Sequence, residues 1–528
     1  MDDTDEHAIR LHREADGLTV RLNERDRLYY LLQEVGQVEH GFKLLRGRIA
    51  ECSLAGLRRV WVDWPRQPQW GTFDARILHD LDGRLMVLRY LRVQNWKSYY
   101  EPIEFTMVAT RERRHGERLA KVSRSRILPV AAIYGANASG KSTLVDALEA
   151  LRSLVLEARP VGAMLRLTPH LLKGVGESTA FSIEFVAGAP QSDGTVKDRV
   201  FLYDVVADRR RIHRESLVEV RSRTEESLFE RDENGVELYG DLDEDPRANA
   251  HKTVIADNET FLGVLGADSE GAVSVAYGWF ARQLTVIRPG AEYVHLPSRL
   301  DVDAVFADAM NAGLTRADTG ISRLDFKDMR VEALPMPRNE VDRIVESLRE
   351  AGGTAMLATS DGDHALLTLD DDGEPVVRRL VAQHEVETGP GADDRRSFSL
   401  PLREESDGTR RFMNLLPILF QLQEEDERSV FVVDELENSM HPRLTEELIA
   451  SFLDGLGPGD RRQLVFTTHE IQLMRSDLLR RDEIWMADKV DGQSELTRVS
   501  DFADVGVRKD ADLLGFYMSG RIGGVPRV

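Results

Sequence analysis

Cysteine is almost absent from this chain, which has one, Cys52, in 528 residues. A single thiol forms no disulfide within the chain and builds no zinc site from cysteines, so disulfide-stapled folds and cysteine-ligated zinc modules are excluded. Long apolar runs are also missing: the longest lies near Phe412–Leu422, well short of the roughly 20 residues of a membrane-spanning helix. The first residues are acidic, unlike the basic start of a secretory leader. We therefore expect a cytoplasmic protein that does not enter a membrane.

Positive charge is scarce as well. Lysine and arginine number 69 against 91 aspartates and glutamates, a net charge of −22. Such a surface does not favour broad coating of a nucleic acid, whose phosphates repel it. A local exception is the stretch 111–126, where seven basic residues accompany two acidic ones. A solvated loop between two strands is the preferred interpretation of this stretch, and nucleic-acid binding stays open as an alternative.

The strongest motif is a glycine-rich loop. The sequence GANASGKS at 135–142 fits the pattern G-x-x-x-x-G-K-[ST], follows an apolar strand and precedes an amphipathic helix. Glycines let backbone N–H groups converge on a phosphate chain, and the helix N-terminus adds its positive dipole end. We expect Lys141 to reach the β- and γ-phosphates of ATP and Ser142 to bind Mg²⁺. The predicted cofactor-binding residues of this loop are Gly135, Asn137, Ser139, Gly140, Lys141, Ser142 and Thr143.

A metal-binding carboxylate follows a second apolar strand. The run Val430–Val433 is followed directly by Asp434 and Glu435. Asp434 is predicted to hold Mg²⁺ through water, and Glu435 to polarise the water that attacks the γ-phosphate. Paired acids after a strand also occur as simple loop caps. A P-loop, however, needs a metal partner, and no better candidate occurs elsewhere in the sequence.

The separation of these two elements along the chain indicates the fold. Lys141 and Asp434 are 293 residues apart, whereas compact AAA+ and G-domain folds place the two elements much closer. The nucleotide fold is therefore expected to be split by an inserted domain, as in RecF, SMC and ABC ATPases. We predict an α/β fold, a split P-loop NTPase of the ABC/RecF type, with a mixed β-sheet and helices and a largely helical inserted domain.

Two shorter motifs favour the same class. The sequence ESDGT at 405–409 starts a helix and resembles the ABC signature loop, so Ser406 and Gly408 are predicted to face the nucleotide of an opposing subunit. An ordinary helix N-cap explains the same residues. His469 closes the next strand, where ABC-type enzymes carry a switch histidine, although a lone histidine is usually structural. Glu435 and His469 are thus the predicted catalytic residues, and the position of a Q-loop glutamine stays open.

Taken together, the motifs form a wider set. They are Arg92–Ser98, the Asn-Ala-Ser inside the P-loop, Glu405–Arg410, Asp434–Pro442, Thr467–His469, Leu479–Trp485 and the ending from Arg508 to Arg521. In this set the chain resembles the prokaryotic AAA/ABC-type ATPases of the RloA and abortive-infection AbiL group, from about Met86 to the end. The resemblance implies an anti-phage defence ATPase that works with a separately encoded effector, such as an RloB-like or other nuclease.

Four segments follow from these motifs. We expect an N-terminal extension at 1–85 (an appended module or an over-called start), a first ATPase lobe at 86–225, an inserted helical and β arm at 226–397, and a second ATPase lobe at 398–528. The second lobe would hold the signature, the Walker B acids and the switch histidine. ATP and Mg²⁺ are the predicted cofactors. At least an ATP-dependent homodimer is expected, because the signature serves a second subunit.

Several alternative functions remain to be weighed. An OLD-type nuclease is disfavoured, because only 59 residues follow His469, too few for a Toprim domain. A transporter subunit would lack the large insertion. A RecF-like DNA-repair clamp stays open, and stimulation of ATP turnover by DNA would reveal it. A scaffold that binds ATP without hydrolysis has no need for Glu435. We therefore expect an ATPase that is not itself a nuclease.

Overall fold

The protein divides into two compact units. The computed structural model describes residues 86–190, 196–221, 224–293, 296–331, 334, 336–358, 364–370, 372–387, 395–421, 430–457, 459–505 and 513–518, together with seven strands between residues 10 and 74. The P-loop unit comprises Gly83–Glu292 and Ile418–Val528. The second unit comprises Met1–Asp82 and Tyr293–Pro417. The mixed α/β fold predicted from the sequence is confirmed.

A six-stranded sheet carries the P-loop. Its strands, in spatial order, are β18 (Leu284–Ile287), β24 (Val430–Val433), β25 (Gln463–Thr467), β12 (Val130–Tyr134), β26 (Ile484–Val490) and β27 (Gln493–Arg498). The first five strands run parallel and β27 is antiparallel to β26. All residues of β12, β24 and β25 are buried, as expected for central parallel strands covered on both faces.

A seven-stranded antiparallel sheet forms the other layer of the P-loop unit. Its strands, in spatial order, are β17 (Gly235–Leu238), β16 (Glu225–Asp232), β15 (Ile212–Val220), β14 (Val196–Ala207), β13 (Thr179–Pro190), β8 (Val87–Gln94) and β9 (Ile103–Thr106). Burial alternates along β9 and through most of β15, so one face of the sheet packs inward and the other stays more open. A separate hairpin pairs β10 (Ala120–Val122) with β11 (Ser125–Ile127).

Helices fill the space between and around these sheets. In the P-loop unit they are α1 (Lys141–Leu156), α2 (Pro246–Val254), α3 (Phe261–Gly266), α4 (Ala272–Gly278), α9 (Pro442–Asp454) and α10 (Leu513–Met518). One continuous apolar core joins α1, α3 and α4 to strands of both sheets. Within the described part of the chain, no helix is both long and apolar enough to cross a bilayer.

A buried glutamine joins the two sheets. Gln463, at the start of β25, accepts a hydrogen bond from Leu88 N through Oε1 (2.6 Å) and donates from Nε2 to Leu88 O (3.0 Å) and Leu128 O (3.2 Å). The side chain is 1 % exposed. Buried polar groups need such partners, because an unpaired amide in an apolar core costs about 1–3 kcal/mol. The contact therefore fixes how β8 lies against the P-loop sheet.

The second unit has its own sheet and helices. The sheet contains β19 (Ile321–Met329), β22 (Pro375–Glu387), β21 (His364–Leu369) and β20 (Ala355–Ala358) in that order, with β23 (Arg395–Pro401) also paired to β22. Its helices are α5 (Leu296–Val302), α6 (Ala304–Arg316) and α7 (Arg338–Ala351), and α8 (Asp407–Gln421) begins in it. The earlier strands are β1 (Arg10–Glu14), β2 (Gly17–Leu22), β3 (Leu28–Leu31), β4 (Gly41–Leu45), β5 (Arg48–Leu54), β6 (Leu57–Val62) and β7 (Gly71–Asp74).

The unit boundaries differ from those expected from the sequence. A boundary at 226 falls inside β16, because β16 and β17 extend the antiparallel sheet of the P-loop unit. Strand β18 also belongs to that unit, since it pairs with β24. The inserted part of the second unit thus begins at Tyr293 and runs to Pro417, which includes the signature segment. The insertion is mixed rather than largely helical, because five strands accompany its helices.

Candidate nucleotide-binding site

Three chain segments meet at one edge of the P-loop sheet. Strand β25 lies between β12 and β24 and is parallel to both. The carboxyl ends of the three strands therefore lie side by side, and each is followed by a predicted site segment: the P-loop, the Walker B acids and the switch histidine. Lys141 and Asp434 are 293 positions apart in the sequence but close in space, because strand pairing brings the ends of their strands to the same edge.

Two glycines give the P-loop its path. Gly135 and Gly140 have φ angles of 155° and 107°, which other residues rarely adopt. A Cβ on Gly135 would lie 2.3 Å from the carbonyl oxygen of Ala487, and one on Gly140 would lie 2.5 Å from Oγ of Ser494. Both positions therefore exclude a side chain by conformation and by contact. Without side chains at these two positions, the backbone of the loop can approach a phosphate chain closely.

Lys141 folds back over the loop. Its Nζ donates to Gly135 O (2.9 Å) and Ala136 O (3.1 Å), and the residue is 6 % exposed. Burial lowers the pKa of Lys141, and the nearby Glu437 and Glu435 oppose that shift. The ammonium group thus sits at the mouth of the loop, where the phosphates of a nucleotide would replace backbone carbonyls as its partners.

The predicted metal carboxylate, Asp434, is held by a hydroxyl of the P-loop helix and by one of the neighbouring strand β25. Ser142 Oγ, at the start of α1, donates to Asp434 Oδ1 at 2.9 Å, and Thr467 Oγ1, at the end of β25, donates to the same oxygen at 2.7 Å. Asp434 is 4 % exposed. A hydroxyl and a carboxylate are oxygen ligands of the kind that Mg²⁺ prefers, with phosphate and water completing its shell. The residues therefore fit a Mg²⁺ ion.

Thr467 opens the motif Thr467–His469, but sequence reasoning gave it no role of its own. Its hydroxyl donates to Asp434 and also accepts a hydrogen bond from the backbone of the next acid, from Glu435 N at 2.7 Å. Glu435 is half-buried and has a φ of 47°, an uncommon value for a residue with a side chain. A single threonine therefore positions both Walker B acids. Its place at the end of a buried strand, directly before Thr468 and His469, was the available signal.

A third acid also belongs to the site. Glu437 Oε1 accepts a hydrogen bond from His469 N at 2.5 Å, while its Oε2 is buried without a partner in the described structure. His469 is an exposed residue whose ring is partly screened from water. This partial desolvation, and then the charge of Lys141, lower the pKa of His469, while Glu437 opposes the shift. Glu437 thus ties the switch segment to the Walker B loop. Sequence reasoning gave it no role.

The other P-loop residues differ in what they offer. Asn137 is exposed at the tip of the loop, and Ser139 is buried with an Oγ that has no hydrogen-bond partner in the described part of the chain. Thr143 shares its hydroxyl with Ser98 at 2.9 Å, so that side chain already has a structural partner. Asn137 and Ser139 therefore remain the better placed of the three to contact a nucleotide.

A short segment before the P-loop holds the start of α1. Trp96 Nε1 donates to Thr143 O at 3.1 Å, and Tyr99 OH donates to Gly140 O at 2.8 Å. Asn95, 1 % exposed, fixes this segment by donating from Nδ2 to Gly174 O at 3.0 Å. The segment Asn95–Tyr99, which overlaps the motif Arg92–Ser98, therefore acts as a strap that holds the first turn of α1.

The predicted signature residues lie in the second unit. Ser406 Oγ accepts a hydrogen bond from Thr409 N at 3.1 Å, which is the geometry of a helix N-cap on α8. Gly408 is buried in the first turn of that helix, and Ser406 is exposed. The capping role is therefore present in the structure, and a contact of Ser406 or Gly408 with nucleotide stays a prediction.

Another motif of the set is structural. Arg480 and Asp482 are fully buried and form a bidentate ion pair with both distances at 2.8 Å. Asp482 also accepts hydrogen bonds from the backbone and hydroxyl of Thr110, and Arg481 pairs with Glu112. Fully paired buried charges of this kind specify one arrangement of two loops. The motif Leu479–Trp485 therefore anchors the loop that precedes the β10–β11 hairpin.

The basic stretch 111–126 consists of that loop and the hairpin. Arg118 donates to Leu478 O at 3.0 Å, whereas Lys121, Arg124 and Arg126 are exposed on the hairpin. A solvated surface explains these residues, and nucleic-acid binding by them stays an untested alternative. The tail acids Asp510 and Asp512 and the ending after residue 518 lie outside the described residues.

Comparison with known proteins assigns the family. A family profile described as "AAA domain, putative AbiEii toxin, Type IV TA system" matches residues 130–475. The match runs from the strand before the P-loop to just beyond His469 and covers well over half of the chain. The chain belongs to this family. As a member of this AAA family it carries an ATPase domain, while the finer RloA and AbiL grouping is not contained in the match.

Similar solved structures are SMC heads. An SmcHead bound to the C-winged helix domain of ScpA is 13 % identical, with 78 % of this chain and 97 % of that chain covered and a TM-score of 0.33. The SMC head domain from Thermotoga maritima is 11 % identical (78 % and 98 % covered, TM-score 0.32), and the Smc head from Pyrococcus furiosus is 11 % identical (80 % and 98 %, TM-score 0.35). At such TM-scores these likenesses support no further inference. No curated protein matches the chain.

A substitution at Thr467 tests the predicted Mg²⁺ site of this AAA family protein directly. Thr467→Val removes the hydroxyl that binds Asp434 and Glu435 while keeping the shape of the side chain, so we expect Mg²⁺-dependent ADP affinity to fall about tenfold or more. Thr468→Val is the matched control, because that hydroxyl accepts from Glu470 N instead. Titration calorimetry with ADP, with and without Mg²⁺, measures the effect. Equal affinities in the two variants would contradict the role given to Thr467.

Proposed function

We propose that the protein hydrolyses ATP with Mg²⁺ at this sheet edge. The observation that carries the proposal is the pair of hydrogen bonds from Ser142 and Thr467 to one oxygen of Asp434. Asp434 therefore lies beside the first turn of the P-loop helix, and this proximity supports a shared role with the phosphates and the metal. Membership of the AAA family supports ATP as the nucleotide.

Each side chain then has one task. Lys141 would neutralise the β- and γ-phosphates, and Ser142 and Asp434 would hold Mg²⁺, which neutralises the charge that develops on the phosphates during transfer. Glu435 would accept a proton from the attacking water, since it follows the metal ligand directly and its backbone is fixed by Thr467. His469 would contact the γ-phosphate from the end of β25, its segment held by Glu437.

We further propose that a complete site needs two chains. Ser406 and Gly408 start helix α8, and the amides of a helix N-terminus suit an anionic γ-phosphate. Ser406 is exposed on the second unit and is thus accessible to a partner subunit. An ATP-dependent homodimer would pair the P-loop of each chain with the signature of the other.

The biological role that we propose is anti-phage defence. The resemblance to RloA and AbiL proteins and the toxin–antitoxin wording of the family description both support it. The chain would act as a sensor or regulator of a separately encoded, nuclease-like effector. In this proposal the effector, and not this chain, would carry the nuclease activity.

Glu435→Gln tests hydrolysis. The amide cannot accept the proton of water, so we expect ATP to bind normally while turnover falls at least about a hundredfold. Lys141→Ala is the comparison variant: it loses the phosphate cation, and tight ATP binding should disappear. Steady-state phosphate release and equilibrium ATP binding separate the two results. Near-normal turnover in Glu435→Gln would assign the base to another residue, such as Glu437.

Mixing two inactive variants tests the two-chain site. Lys141→Ala cannot hold phosphates, and Gly408→Asp puts bulk and negative charge at the signature. In a heterodimer one site collects both lesions and the other is intact. ATPase activity should then recover to roughly a quarter of the wild type if chains exchange at random and sites act independently. A mixture that stays inactive, with a wild type that light scattering shows to be monomeric during turnover, would refute the proposal.

Phage challenge tests the biological role. We expect protection by the cloned locus to require both this chain and the neighbouring effector gene, and to be lost in Lys141→Ala, because the effector acts only through a nucleotide-bound regulator. The purified chain should leave DNA and RNA intact in the presence of Mg²⁺. Efficiency of plating and gel assays give the readouts. Full protection by this chain alone, or metal-dependent cleavage by it, would contradict the proposal.

A further inference from the structure

Arg288 lies at the edge of the candidate site, and the proposed mechanism of ATP hydrolysis gives it no role. It directly follows β18, the strand that pairs with β24 on the side away from β25. The preceding carbonyl, Ile287 O, accepts a hydrogen bond from Asp434 N at 2.9 Å. Arg288 therefore lies at the same sheet edge as Asp434. It follows β18 on one side of β24, whereas Thr467 ends β25 on the other side.

The guanidinium contacts three carboxylates. Its Nη1 lies 3.5 Å from Asp434 Oδ2, its Nη2 lies 2.5 Å from Asp146 Oδ1, and its Nε donates to Glu149 Oε2 at 3.0 Å. Asp146 and Glu149 are three residues apart and thus neighbours on α1, the helix that starts with the P-loop lysine. Arg288 therefore bridges the P-loop helix and Walker B, with its longest contact to the metal ligand.

The two oxygens of Asp434 serve different partners. Ser142 and Thr467 donate to Oδ1, and the Arg288 cation faces Oδ2. Glu435 and Glu437 lie nearby, and both act electrostatically on Lys141 together with Asp434. Without a nucleotide this edge concentrates negative charge. A cation at Oδ2 relieves that repulsion, and it also competes with any divalent metal that approaches the carboxylate.

We propose that Arg288 is a positioning residue that occupies Asp434 in the nucleotide-free protein and yields it to Mg²⁺ when nucleotide arrives. The distances decide which contact yields: the guanidinium can give up the 3.5 Å contact and keep the closer ones to Asp146 and Glu149. The phosphates supply the negative charge that lets two cations coexist at the edge. Metal binding is thereby made dependent on nucleotide. The inference rests on the nucleotide site proposed above.

Metal affinity without nucleotide is the decisive measurement. Mn²⁺ serves as the probe, because its free form is counted by electron paramagnetic resonance. In Arg288→Gln the competing cation is gone, so we expect Mn²⁺ affinity without nucleotide to rise about tenfold or more over the wild type, the size of effect that a charge at this distance has on a carboxylate. With saturating ADP the two proteins should differ by less than about threefold, because the phosphates then dominate the site.

Two variants control for charge and folding. Arg461→Gln removes another arginine of the P-loop unit. Arg461 lies just before the amino end of β25 and forms a bidentate pair with Asp198, with both contacts at 2.7 Å. This variant should leave Mn²⁺ affinity unchanged. Arg288→Lys keeps a positive charge near Asp434, so its Mn²⁺ affinity should stay within about threefold of the wild type. Circular dichroism before each titration confirms that the variants are folded. If Arg288→Gln does not fold, the comparison of Arg288→Lys with the wild type carries the test, and a change in Mn²⁺ affinity beyond about threefold overturns the proposal.

The possible outcomes separate this inference from the proposed function. If ADP brings Mn²⁺ to the wild type but Arg288→Gln binds free Mn²⁺ no better than the wild type and Arg461→Gln do, the role of Arg288 is overturned while the nucleotide site stands. If ADP fails to bring Mn²⁺ to the wild type, and Lys141→Ala behaves identically, the nucleotide site itself fails and this inference falls with it.

Discussion

One carboxylate oxygen organises the site. Asp434 Oδ1 accepts hydrogen bonds from Ser142 at the start of the P-loop helix and from Thr467 at the end of the intervening strand. A buried carboxylate is costly unless such donors and cations surround it. Here the donors come from segments far apart in the chain, so the charge is satisfied only when the three parallel strands are paired in their native register. The requirements of the fold and of metal binding thus meet at one atom.

Hydrogen bonds around this oxygen restrict the movement of the neighbouring backbone. The strap of Trp96 and Tyr99 holds the backbone of the first helical turn, and Gln463 locks the antiparallel layer against the amino end of the central strands. Preorganised donors matter for phosphate chemistry, because they stabilise the developing charge without a cost of reorganisation. The restrained groups lie in the P-loop and Walker B segments, while His469 and Asn137 stay exposed where a ligand or a partner would reach them.

Sequence reasoning and structure agree best where a motif has local physical causes. The glycines of the P-loop are dictated by backbone geometry, and the fully buried strands β12 and β24 by continuous apolar runs. At the insertion, boundaries at 226 and 398 were expected, whereas along the chain the two compact units change over at Glu292–Tyr293 and Pro417–Ile418. Pairing of β18 with β24 decides that boundary, and a short strand such as Leu284–Ile287 carries no mark of its distant partner.

By itself, the sequence determined which functional groups are available. These are a P-loop with its lysine and serine and two acids after a strand, and the spacing between them requires an insertion. These features are local, because glycine conformation, apolar periodicity and adjacent acids are properties of short windows. Only the tertiary structure decided which side chains share an atom. Thr467, Glu437 and Arg288 read as an ordinary strand end, a loop acid and a surface arginine until parallel pairing sets their strands side by side. Long-range strand order comes from packing of the whole sheet, and a local pattern does not encode it.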